Sequence, residues 1–173
     1  LFDTVFGIPV HALVVHAVVV FAPLTALCLL LFAVLGRFRS WSGPLTPLLA
    51  SGTVVLAFVA KESGESLQHR LPGNEAIHEH AELGDLMPWV MLLAAVVAWL
   101  MWWFWRRDRD RVEEHGAPIL MSGVSKLLAV VGVLAAVGLA VDITLVGHTG
   151  AQAVWSEVGS QPAPAGGGGD DDG

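Results

Sequence analysis

Histidine is the residue type on which any chemistry of this sequence must turn. His11, His16, His69, His78, His80 and His148 all flank or enter long apolar runs, and Glu62, Glu65, Glu82, Asp85 and Asp142 accompany them. Neutral imidazole ligates zinc, copper, nickel or iron. Two imidazoles facing each other across a helical bundle form the axial pair that a low-spin haem needs. Carboxylates beside such rings act as acceptors that orient them, or as proton-relay groups. Catalysis by other routes has little to work with. No nucleophile stands next to a recognisable base, and the couple Glu62 and Glu65 has Lys61 beside it. The Gly166 to Gly169 run lacks the strand and helix of a phosphate-binding loop. An electron carrier or an accessory subunit is therefore expected rather than an enzyme.

Spacing separates these residues. His11 and His16 are about 140° apart around a helix, so they cannot both hold one ion and must address different sectors. His78 and His80 diverge in the same way, while Glu75, His78, Glu79 and Glu82 share one face that reads equally well as solvated surface. Depth singles out others. At 1.5 Å per residue, His16 lies about 9 Å inside the start of its apolar run and Asp142 about as far inside the end of its own. Ionisable groups at such depth are costly unless paired, ligated or facing water. His16, His80 and His148 are the expected ligands, with His11 a further one; Asp142, Glu62, Glu82 and Glu65 are the expected supporting acceptors.

The elements that must position these groups follow from composition. Of 173 residues, 54% are hydrophobic and only 14% charged, too apolar for an ordinary soluble domain. The apolar residues form blocks long enough to cross a bilayer core of roughly 30 Å. The expectation is an all-α, integral membrane four-helix bundle over residues 1–155. Its spans are placed at about 10–35, 45–62, 83–105 and 119–146. The Gly- and Asp-rich residues 156–173 are expected to be disordered. Val10 onward lacks the charged n-region of a signal peptide and is read as a retained span. Arg37, Arg39, Arg106, Arg107, Arg109 and Arg111 gather on one side and only Lys61 and Arg70 on the other. The positive-inside rule then puts both termini and six of the seven histidines on the extracytoplasmic side, with His115 alone opposite. A net charge of -7 argues against nucleic acid as a partner. The single Cys28 permits neither an intramolecular disulfide nor a thiolate cluster.

The segments Pro9-Val10-His11-Ala12-Leu13-Val14-Val15-His16, His80-Ala81-Glu82-Leu83-Gly84, and Gly147-His148-Thr149-Gly150-Ala151 through Trp155 resemble the bacterial membrane family known as domain of unknown function 2231. The resemblance covers about residues 5–155. It departs at Ala12, Ala17 and Val18, where many relatives carry proline after the first histidine and Phe-Pro after the second. Some relatives look fused to cytochrome-type modules, which points toward redox work in a bacterial inner membrane.

Three functions are expected in consequence. The first is a small cytochrome b-like protein with haem b held by His16 opposite His80 or His148 and passing electrons, with His11 leaving room for a second ligand pair. The second is a copper, zinc or iron site or transporter built on the same histidines. The third is an accessory subunit of a respiratory complex, in which the polar cluster docks a redox partner or a second copy. Gly132 and Gly138 allow close helix contact.

Overall fold

The computed structural model describes residues 4–70, 75–115 and 122–159. A two-residue hairpin, β1 (Thr4–Val5) paired antiparallel with β2 (Ile8–Pro9), opens the described chain. Phe6 and Gly7 turn it with positive φ angles of 51° and 82°, the backbone twist that a tight hairpin needs. Five helices follow: α1 (Val10–Val34), the short α2 (Gly36–Ser42), α3 (Leu45–Gln68), α4 (Glu75–His115) and α5 (Gly123–Gly159). Apart from the hairpin the fold is all-α, and α1, α3, α4 and α5 are each long and apolar enough to cross a membrane.

The four long helices form a ring. Each of α1 and α4 packs on both α3 and α5, and α1 and α4 lie diagonally across the bundle. The starts of α1 and α4 meet at one end, hereafter the histidine end. The other end carries α2 and the arginines of α4.

Three helix bounds differ from the spans read in the sequence: α5 runs past the expected end at 146 to Gly159, through the first four residues of the segment expected to be disordered, and α3 and α4 differ for local reasons. Helix α3 continues through Lys61 to Gln68, and the connection to α4 shortens to residues 69–74, of which 71–74 lie outside the described residues. Lys61 pairs with Glu65 one turn on, and Ser63 Oγ donates to the carbonyls of Val59 (2.7 Å) and Ala60 (3.0 Å), so the polar cluster stays helical. Helix α4 likewise runs through its basic stretch, where Arg106–Asp110 (4.0 Å) and Arg109–Glu113 (3.6 Å) are pairs one turn apart. The expected start of the fourth span, residues 119–121, and the tail 160–173 lie outside the described residues.

The core is built from small residues. Ala22, Ala26, Ala33, Ala50, Ala57, Ala94, Ala95, Ala98 and Ala136 are buried, interleaved with Leu29, Phe32, Met87, Met91, Met101 and Leu139. Large aliphatics such as Val20, Leu48, Val55, Leu93, Leu127 and Leu134 point outward. In water that distribution would be unfavourable. In lipid, where tails are as apolar as leucine, small interior residues let helices approach closely and gain dispersion contacts. One polar link crosses the middle: Thr25 Oγ1 and Thr53 Oγ1 are 2.9 Å apart, so one hydroxyl donates to the other, and the accepting one donates to the carbonyl one turn back in its own helix, Phe21 O for Thr25 or Leu49 O for Thr53.

Opposite the histidine end, Arg39 folds back on α1. Its Nε donates to Phe32 O (2.9 Å) and its Nη2 to Ala33 O (2.7 Å), while the guanidinium sits 5.7 Å from the Phe32 ring centre. These are last-turn carbonyls that have no acceptor role left within the helix. Asp108 does the converse for α5, accepting from Ser122 N (3.0 Å) and Ser125 Oγ (2.5 Å) at that helix's first turn. Both helix ends are thereby satisfied by side chains from their neighbours.

Removing either hydroxyl of the threonine pair, as Thr25→Val or Thr53→Val, is expected to cost about 0.6–1 kcal/mol. The double variant should cost less than the two singles summed. Unfolding in bicelles, run as a double-mutant cycle, measures this; strict additivity would mean that the hydroxyls do not interact.

Candidate functional site

Two imidazoles are seated in the same way at the histidine end. His11, in the first turn of α1, places Nδ1 2.9 Å from Ala60 O of α3. His80, near the start of α4, places Nδ1 3.1 Å from Val146 O of α5 and 3.3 Å from Thr149 Oγ1. A carbonyl only accepts, so Nδ1 carries the hydrogen on both rings and donates it. In the neutral ring, that leaves Nε2 as an acceptor or ligand.

Each ring also rests on a glycine of the helix it bonds. A Cβ at Gly64 would fall 3.0 Å from His11 Cε1, and one at Gly150 would fall 3.0 Å from His80 Cε1. Those are closer than ordinary van der Waals contact, so the glycines make room for the rings. The two rings meet edge to face, with centroids 6.4 Å apart and planes at 72°.

The likeness of the two seats extends along the helices. Ala60, Ser63 and Gly64 of α3 match Val146, Thr149 and Gly150 of α5 in spacing. The Ser63 and Thr149 hydroxyls each donate to the same carbonyl that the imidazole uses, at 3.0 and 3.2 Å. Counting on from His11, the buried residues of α1 include Val18, Ala22, Ala26, Leu29 and Phe32. Counting the same steps from His80, those of α4 are Met87, Met91, Ala95, Ala98 and Met101, also buried. Thr53 and Ala50 of α3 correspond to Leu139 and Ala136 of α5 in the same manner. The bundle is two α-hairpins in parallel repeat, α1–α3 and α4–α5, and the imidazole pair sits where they meet. Parallel repeats of this kind are related by an axis along the membrane normal.

The remaining sequence candidates fall elsewhere. His16 is exposed, with Nδ1 2.5 Å from Ala12 O of its own helix, and His148 is exposed. The expected meeting of His16 and His148 with His80 therefore gives way to one of His11 with His80. The 140° separation of His11 and His16 admits only one of them to the interior. On α5 the inward positions Val146, Thr149 and Gly150 leave His148 on the opposite side. Glu62, Glu65 and Glu82 are exposed as well. Glu65 pairs with Lys61, which reaches Asp85 of α4 at 2.8 Å, and Glu82 lies 3.4 Å from His78 in an exposed pair. Asp142 is half-buried on α5, and its Oδ2 is enclosed without a hydrogen-bond partner.

A cavity of about 40 Å³ opens beside His11, lined in part by Ser63, Ser66 and Arg70. Among the described residues, no group of three or more His, Cys, Asp or Glu side chains is disposed to hold a metal ion. The sequence reading missed the paired glycines and hydroxyls; their signal was the repeated small-x-x-Ser/Thr-Gly segment.

Fold and site together define a multi-pass membrane protein in which two part-buried imidazoles meet at one end of the bundle. The chain belongs to the family of predicted membrane proteins DUF2231, whose family model matches residues 7–161. No curated protein and no solved structure matches it.

The glycine seats carry a prediction. Gly64→Val and Gly150→Val should each cost about 1–3 kcal/mol by overpacking against a fixed ring. Gly147→Val, at an exposed position with nothing near its would-be Cβ, should stay within about 0.5 kcal/mol. Equal effects at all three positions in bicelle unfolding would remove the special role of the seats.

Proposed function

We propose that this protein is a membrane electron carrier in which His11 and His80 would hold a b-type haem. The observation that supports this most is the pair itself. Two rings from two hairpins each have Nδ1 committed to a backbone carbonyl, and their centroids are 6.4 Å apart. Donor count favours haem over a bare ion. The macrocycle brings its own equatorial nitrogens and asks the protein for only two ligands, whereas a structural zinc site asks for four. Bound there, haem would supply a one-electron couple.

The chain's own part is to hold the two rings. The Ala60 and Val146 carbonyls fix the tautomer and ring orientation, Ser63 and Thr149 brace those carbonyls, and the alanine core inward of them excludes water. The positive-inside rule supports placing the histidine end on the extracytoplasmic face of a bacterial inner membrane.

Space favours a second reading. The 40 Å³ cavity lies beside His11 without His80 in its lining, and it is far below the roughly 300 Å³ at which ligand pockets begin, so a macrocycle would need the histidine end to open. A bare copper, zinc or iron ion asks for far less room.

Absorption spectra of the protein purified from membranes, oxidised and reduced, decide between these. The haem reading expects a Soret band that shifts on reduction, is lost in His11→Ala and in His80→Ala, and survives in His16→Ala and His148→Ala. A colourless protein holding one equivalent of metal that disappears in the same two variants would establish the bare-ion reading. A colourless, metal-free protein, or dependence on His16 instead, would sink both.

A further inference from the structure

The two hairpins match so closely that a departure between them is informative, and one departure places an acid inside the membrane. Stepping back from Gly150 along α5 reaches Asp142; the same steps from Gly64 along α3 reach Leu56, which packs partly buried against the core. Asp142 thus holds a place where the other half of the molecule keeps an aliphatic side chain. Among the described residues its Oδ2 is enclosed and has no hydrogen-bond partner. It lies one turn, about 6 Å, inward of Val146, whose carbonyl seats His80.

Helix α5 packs on α1 and α4. Near the depth of Asp142 the residues of those helices that pack into the core are Val14 and Val18 on α1 and Met87 on α4, none of them ionisable. The titratable groups one turn nearer the end are His11 on α1 and His80 on α4. His16 of α1 is turned outward onto Ala12, and Asp85 of α4 is exposed against Lys61. An ionised carboxylate there would have neither a cationic partner nor donors for its enclosed oxygen, which costs several kcal/mol in hydrocarbon surroundings. A metal cation such as calcium or magnesium would need several oxygen ligands converging on it, and the surrounding inward positions supply none.

We propose that Asp142 is a proton-binding site within the membrane, carrying its proton as a neutral carboxylic acid and exchanging it toward the histidine end. The site stands without the haem reading. If both hold, it provides a proton to balance charge gained or lost between His11 and His80.

The test is labelling with dicyclohexylcarbodiimide, an apolar reagent that adds the O–H of a protonated carboxyl across its C=N bond. The full-length protein is treated in phosphatidylcholine vesicles and mapped by peptide mass. The expected result is an adduct on Asp142 forming at least tenfold faster than on Glu62, Glu65, Glu79 or Glu82, with a rate that falls as pH rises. Asp142→Asn and Asp142→Leu should lose that adduct. The leucine variant should keep native helicity, since Leu56 fills the matching place. Labelling of the exposed glutamates with Asp142 unmodified, or no labelling at all, would overturn the proposal. A colourless protein that labels at Asp142 would retain the proton site and lose the haem.

Discussion

The histidine end of this molecule depends on an imidazole pressed against a glycine. His11 can reach the carbonyl of Ala60 only because Gly64 has no side chain, and His80 can reach Val146 only because Gly150 has none. The contact draws two helices together at their ends and fixes a tautomer. It also spends the Nδ1 hydrogen on a backbone acceptor, so both rings retain Nε2 for a ligand. Each seat joins two neighbouring helices at that end of the bundle, so it serves packing as well as any binding.

The rest of the bundle accommodates these two seats. An interior of alanines, with leucine and valine turned toward lipid, brings the helix axes close along their whole length, so that rings and carbonyls meet at the end without strain in between. The Thr25–Thr53 link, the Arg39 fold-back and the Asp108 cap then satisfy polar groups from the middle of the membrane to its opposite face. Because α1–α3 and α4–α5 repeat one another, one local solution serves twice, and the two imidazoles meet edge to face at the same end.

Much of this was legible from residue types. Run length gives the four membrane-crossing helices, and the spacing of His11 and His16 already requires that only one face inward. Which one does was misread, because depth in the membrane favoured His16. The deciding signal was the stripe of small residues Ala22, Ala26 and Ala33 on α1, since in lipid it is the small face that turns inward. Followed back through Val18, that stripe reaches His11. His148 drew attention as a histidine between glycines, while the informative feature was the Thr149–Gly150 step that repeats Ser63–Gly64.

The account rests on the contact between His11 and His80, and solid-state NMR of the histidine-labelled protein in bilayers observes it directly. It predicts through-space correlation between the His11 and His80 rings, both protonated at Nδ1. Correlation of His80 with His16 or His148, and none with His11, would contradict it.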